Sequence, residues 1–238
     1  MSNETPVVYC VNYNDHDRRC KMTCRFQELD IPYHFVEPVY KTDKRLDHPE
    51  INKQHKRTYS IMLQHLDSLQ HFLNNTDEES GPFCIICEDD IMLSTKIKEK
   101  LPEIMSKFAE MDLDLLLMGY LWPQKIDPYS NGHFPLLLKT PNFVFTEYPD
   151  DLWGSQLYMV SRKHAQYLID KFPPEYIFQN PVDNLPYNPD WIITKVGRRA
   201  LISPMLAVEE GATKTDNDGQ NEFHRKCFLA NYIEGEFV

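Results

Sequence analysis

The chain has 238 residues, 42% of them hydrophobic and 26% charged, with a formal net charge of -11 at pH 7. A chain of this length buries about 70–75% of its unfolded surface without needing staples, and this ordinary globular composition excludes wholesale disorder. The acidic balance argues against nucleic acid and anionic membrane surfaces as partners, because a binder of either presents a basic face.

Met1 to Pro6 shows no basic region followed by an apolar core, and no stretch approaches the ~20 apolar residues of a membrane span. The expectation is a cytoplasmic protein with no membrane span. Pro6 to Asn12 is a short apolar, β-branched run that predicts a buried strand. From Arg18 to Leu29, the spacing of Met22, Phe26 and Leu29 predicts a helix, and Ile31 to Val36 predicts a second strand. This is the β-α-β opening of a parallel sheet.

Lys41 to Lys56 is charged and lacks a period, so an exposed loop is expected there. Thr58 to Leu73 places Ile61, His65, Leu69 and Phe72 on one helical face. After a loop from Asn74 to Pro82, the strand Phe83 to Cys87 runs directly into Glu88-Asp89-Asp90. Ile97 to Phe108 reads as a helix and Leu113 to Met118 as a buried strand ending at Gly119. Trp122 to Pro149 is too long for a plain connection and predicts a hairpin or a substrate-side loop. Ser155 to Val160 follows as a strand, Arg162 to Phe172 as a helix and Trp191 to Val196 as a further helix. Thr213 to Gly219 reads as a polar, flexible tail. No repeat or linker interrupts the chain, which predicts one domain over residues 6–238.

Cys84 and Cys87 have the spacing of half a zinc pair, but residues three apart on a strand face opposite sides. Buried, reduced thiols are expected instead. Asn74-Asn75-Thr76 matches a glycosylation sequon and reads, without a secretory route, as a polar loop.

The three carboxylates at a strand's carboxyl end lie where open α/β sheets place their ligands. Adjacent acids repel one another, and a divalent cation relieves that cost with hard oxygen ligands that suit Mn2+ or Mg2+. The alternative is a loop of solvated acids that caps the next helix.

The order of elements resembles glycosyltransferase family 25, a group of lipopolysaccharide and collagen sugar transferases. The resemblance lies in the turn Val11-Asn12-Tyr13-Asn14-Asp15-His16-Asp17-Arg18-Arg19, in Gln64-His65 on a helix, and in the strand ending Glu88-Asp89-Asp90. It continues in Gly154-Ser155-Gln156-Leu157-Tyr158-Met159-Val160-Ser161-Arg162 and in Pro189-Asp190-Trp191. Together these span roughly residues 6 to 210. Gln64 stands where that family carries Ser, its usual preceding Gly-Cys is absent, and the Trp122 to Pro149 segment has no counterpart. The resemblance implies a single GT-A type, Rossmann-like domain with a mostly parallel central sheet flanked by helices. It also implies a nucleotide-sugar donor, a glycan or glycoprotein acceptor, Mn2+ dependence and inversion at the anomeric carbon.

On this reading Asp90 binds the metal directly, Glu88 does so through water or touches the ribose, and Asp89 contacts the ribose or donor sugar. Asn12, Tyr13 and Arg18 follow the first strand and hold the nucleotide base. Arg57 meets donor phosphates, or else belongs to a solvated basic pair with Lys56. His65 either touches the donor or fills the core. His224 is a further ligand or an exposed tail residue. Asp190 is the general base of an inverting reaction or an ordinary N-cap, with Asp151 and Asp183 in reserve. Trp122 and Trp153 stack on a sugar or pack in the core. Two other functions compete: nucleotidyl or phosphoryl transfer, whose Gly-rich loop is missing from a chain with 8 glycines, and a non-catalytic nucleotide-sugar binding module.

Overall fold

The computed structural model describes residues 5–49, 51–75, 81–124, 134–179, 187–211, 215 and 217–238. The chain opens with β1 (Val8–Val11), α1 (His16–Glu28) and β2 (Tyr33–Val36), in the expected order. Two single 3-10 turns, Lys44–Leu46 and Lys53–His55, lead into α2 (Lys56–Asn74). β3 (Phe83–Glu88), β4 (Ile91–Leu93), α3 (Ile97–Glu110) and β5 (Leu115–Leu121) come next. They are followed by β6 (Leu136–Lys139), β7 (Val144–Glu147), β8 (Trp153–Ser161) and α4 (Arg162–Lys171). The chain continues through α5 (Tyr176–Gln179), α6 (Pro189–Ile192), β9 (Arg199–Ser203), β10 (Ala207–Glu209) and α7 (Asp218–Asn231).

Eight strands form one sheet in the order β2-β1-β3-β8-β5-β9-β7-β6, and β10 pairs with β4 in a small second sheet. Strand β1 is parallel to β2 and β3, and β5 is parallel to β9. The other pairings of the large sheet, β3 with β8, β5 with β8, β6 with β7 and β7 with β9, are antiparallel. The sheet is flanked by helices as expected, but it is mixed rather than mostly parallel. The parallel opening is interrupted because β8 runs against both of its neighbours and the β6–β7 hairpin adds antiparallel partners.

Side-chain alternation divides each central strand between two cores. Tyr9, Cys84, Ile86, Leu117 and Tyr158 pack with α2 and α4. Val8, Cys10, Ile85, Cys87, Met118 and Met159 pack with α1 and α3. Cys84 and Cys87 thus lie on opposite faces, and both are free and buried. Being buried on both faces is what makes β3 a continuous apolar run.

Several elements differ from expectation. The described residues of Lys41 to Lys56 are mostly exposed as expected, but Leu46 and Ile51 are buried and Arg45 is forked between Asp43 and Asp67. Two apolar residues in sixteen produce no period, which hid this anchoring. Strand β5 runs through Gly119, where a Cβ would come within 3.0 Å of the Ala207 Cβ, so the glycine admits β10 against the sheet. The Trp122 to Pro149 segment does contain the expected hairpin, β6–β7, and residues 125–133 within it lie outside the described residues. The expected helix from Trp191 is a single turn that begins two residues earlier, because Asn188 caps it. Of the expected polar tail, 215 and 217–219 are described, and α7 begins within it at Asp218.

Candidate active site

The carboxyl ends of β1 and β3 lie side by side in register, Val11 beside Glu88. Chain ends arranged this way bring the turn after β1 against the acids after β3. Tyr13, Arg18, Arg57, Glu88, Asp89 and Asp90 line one cavity of about 320 Å3. Gln220, Asn221 and His224 of α7 close its other side. Six of the nine site residues read from sequence therefore meet in one place.

Asn12 is 1% exposed and lies behind this cavity rather than in it. Its Nδ2 donates to Asp89 Oδ2 at 2.6 Å and to the Asp15 carbonyl at 3.0 Å, while its own carbonyl accepts from Gln64 Nε2 at 2.9 Å. Gln64, at the family's Ser position, also donates to the Val36 carbonyl and so ties α2 to the ends of β1 and β2. Asn12 therefore fixes an acid of the site from behind. Asp15 caps α1 by accepting from Arg18 N, and this cap aims the Arg18 side chain back at the acids. Arg18 Nη1 donates to Asp89 Oδ1 at 3.1 Å and to Asp90 Oδ2 at 3.2 Å. Arg18 thus lines the cavity while its guanidinium holds the acid pair. Burial works against the Arg18 charge, but Asp90 and Asp89 outweigh it and raise its pKa. Tyr13 lines the cavity and packs edge-on against Tyr40. Arg57 is exposed at the start of α2.

Glu88 accepts from Ser155 Oγ at 2.6 Å. Burial, then Asp90 and Asp190, push its carboxyl up to about 8. Burial and Asp90 also raise Asp89, against the pull of Arg18. Asp190 is partly buried and accepts from Gly154 N at 3.0 Å. Its carboxyl is raised by burial, against the Gly154 N–H and Lys195. Asn188, not Asp190, caps α6 by accepting from Trp191 N, which removes the N-cap alternative for Asp190. Asp151 is exposed, and Asp183 lies outside the described residues.

His65 takes the core alternative. It is fully buried, its Nδ1 pairs with Tyr158 Oη at 2.9 Å, and burial pushes its pKa down to about 3. Trp122 packs on Phe134 in the core, whereas Trp153 remains 44% exposed. His224 belongs to α7 and pairs through Nδ1 with Glu209. Glu209 itself closes β10 opposite Ile91, and Glu210 N donates to the Asp90 carbonyl at 2.9 Å. Sequence reading missed Glu209 and Ser155. The signal for Glu209 was the apolar pair Ala207-Val208 ending in two acids, a short echo of β3.

Among the described residues, no three His, Cys, Asp or Glu side chains converge as a complete metal cage. A Mg2+-like ion needs only one or two carboxylates, with water and phosphate oxygens completing its shell. The donor set fits that requirement: hard oxygens of Glu88 and Asp90 face one cavity, and burial first, then Asp90 and Asp190, work against a charge on Glu88 that a cation would offset.

The sequence model of glycosyltransferase family 25 (LPS biosynthesis protein) matches residues 6–185. No curated protein matches the chain. Solved structures of similar shape include the following three. A mannose-1-phosphate geranyltransferase from Thermus thermophilus aligns with a TM-score of 0.46 and 9% identity, over 83% of this chain and 73% of that one. A glycosyltransferase involved in glycosylation of the major capsid of PBCV-1 gives 0.44 and 8%, over 93% and 99%. HddC from Yersinia pseudotuberculosis gives 0.38 and 11%, over 94% and 78%.

Proposed function

The chain belongs to glycosyltransferase family 25, and from that membership we propose that it is a Mn2+- or Mg2+-dependent, inverting enzyme of GT-A type that moves a sugar from a nucleotide donor to a glycan hydroxyl. The observation that carries the reading is the convergence of Glu88, Asp89 and Asp90 with Arg18 and Arg57 around one cavity. His224, beyond the matched residues, faces the same cavity, which favours one functional unit over 6–238.

Sugar transfer leaves negative charge on the departing nucleotide diphosphate, and the site must stabilise it. Asp90 and Glu88 would hold the divalent ion, which when bound supplies Lewis-acid stabilisation of that diphosphate. The Glu209 carboxylate on His224 Nδ1 leaves Nε2 with its lone pair, so His224 is suited to serve as a further ligand. Arg57 adds a fork for phosphate oxygens. Asp89, fixed by Asn12 and Arg18, presents its carboxylate to the ribose or donor sugar. Tyr13 offers a ring to the base.

Inversion requires a base on the face opposite the leaving group. Asp190 fits that role: the Gly154 N–H fixes its Oδ1, and its raised carboxyl accepts a proton more readily than an ordinary aspartate. Among the described residues, no helix is long and apolar enough to cross a membrane.

A thermal-shift screen of nucleotide sugars with and without Mn2+ tests the reading, since a ligand that binds only the folded state raises its apparent stability. A rise for one nucleotide class that requires the metal is expected. No rise with any nucleotide sugar would refute it. Mn2+-dependent donor hydrolysis then separates an enzyme from a binding module.

A further inference from the structure

The donor cavity does not include Trp153, and nothing in the proposed chemistry uses it. Trp153 opens β8, its ring meeting Trp191 at 5.0 Å between centroids with a 77° tilt. Three consecutive residues of β8 reach three parts of the site. Ser155 bonds Glu88, Gly154 bonds Asp190, and Trp153 packs on Trp191. At about 3.3 Å per residue, Trp153 stands roughly 7 Å along β8 from Ser155, which bonds Glu88.

The platform is braced. Lys195 Nζ donates to the carbonyls of Pro149 and Leu152 just before Trp153, and lies 5.2 Å from the Trp191 ring centre. Gly154 has φ of +142°, and a Cβ there would lie 2.6 Å from Tyr120 Cα, so only glycine fills this position of the strand without strain. The indole is 44% exposed, and the next residue along β8, Gly154, holds the Asp190 carboxylate through its N–H. An exposed aromatic face one residue from the hydrogen bond that holds Asp190 suits a ligand with C–H groups on one face and hydroxyls around its edge.

We propose that the acceptor is a pyranose sugar whose apolar face stacks on Trp153 while its reacting hydroxyl points to Asp190, which makes Trp153 the residue that selects the acceptor. The inference rests on the reading of Asp190 as base. The positive edge of C–H groups meets the negative face of the indole, as in other aromatic contacts.

The test is saturation-transfer NMR on the whole protein, with millimolar methyl glycosides of glucose, galactose and mannose as probes. Magnetisation should reach the ring C–H protons of at least one glycoside. Trp153→Ala should weaken that binding about tenfold and Trp153→Phe by no more than about threefold, since a smaller ring keeps part of the stacking. Tyr167→Ala, which removes an equally exposed aromatic on α4, should leave glycoside binding unchanged. Equal glycoside binding by wild type and Trp153→Ala would overturn the proposal. So would the absence of transfer to any glycoside in a protein that hydrolyses a nucleotide sugar. Trp153-dependent glycoside binding in a protein that binds no nucleotide sugar would support the platform and remove the transfer reading instead.

Discussion

Asn12 Nδ2 donates to Asp89 Oδ2 at 2.6 Å across a separation of 77 residues, with both groups buried. A buried bond to a charged acceptor is worth more than a neutral one, and its loss strands the carboxylate. Asn12→Ala is therefore expected to destabilise the protein by about 2–3 kcal/mol and to weaken nucleotide diphosphate binding as well. Urea unfolding and titration calorimetry read the two effects. An unchanged midpoint would mean that Arg18 alone holds Asp89.

Asp90→Asn should leave the fold intact and remove metal-dependent affinity for a nucleotide diphosphate. Disturbing residues one shell out from a metal already costs about 10- to 100-fold, so the loss here should exceed about a hundredfold. Calorimetric titrations with Mn2+ into both proteins provide the comparison. Equal affinity would take Asp90 out of the metal site.

Asp190→Asn should keep donor affinity and lose turnover. The amide oxygen still accepts from Gly154 N, so the local structure survives, but it takes a proton poorly. A positioned base contributes about 100- to 10,000-fold, and the loss belongs to the chemical step. Single-turnover rates at saturating Mn2+ decide the matter. A variant that retains more than about a tenth of the rate would exclude the role.

His65 makes stability depend on pH. Its folded pKa is depressed to about 3 by burial, whereas the unfolded chain protonates near 6.5. Between those values the unfolded state binds more protons, so stability falls as pH falls through 6.5 towards 3. The group should contribute a loss of about 2 kcal/mol between pH 7 and pH 5. Urea unfolding of wild type and His65→Gln at both pH values isolates it: the variant should lose correspondingly less. Parallel losses in the two proteins would refute the assignment.

The acid cluster was legible because β3 is buried on both faces and reads as an unbroken apolar run that stops at three carboxylates. Helix α7 was not legible. Of its fourteen residues only Cys227 is buried, so no apolar stripe announced it, and His224 could not be placed on a helix facing the acids. The Asn12 side chain looked available for a ligand because its sequence position says nothing of Gln64 and Asp89 closing over it from 52 and 77 residues away. Asp190 carried two readings until Asn188 proved to be the cap. The alternation that separated Cys84 from Cys87 was readable in advance, since a strand's period of two requires no tertiary information.

The position of β8 between β3 and β5 imposes an order on synthesis. Strand β3 ends at residue 88 and β8 at residue 161, so translation leaves one edge of β3 open for roughly 70 residues, on the order of 4–14 s at 5–20 residues per second. During that interval Phe83-Cys84-Ile85-Ile86-Cys87 presents unpaired backbone and apolar side chains, the composition that invites pairing with another chain. The strand that delivers the carboxylates is thus also a nascent-chain liability. Slower initiation or chaperone occupancy of that segment should raise soluble yield more than changes to the finished surface.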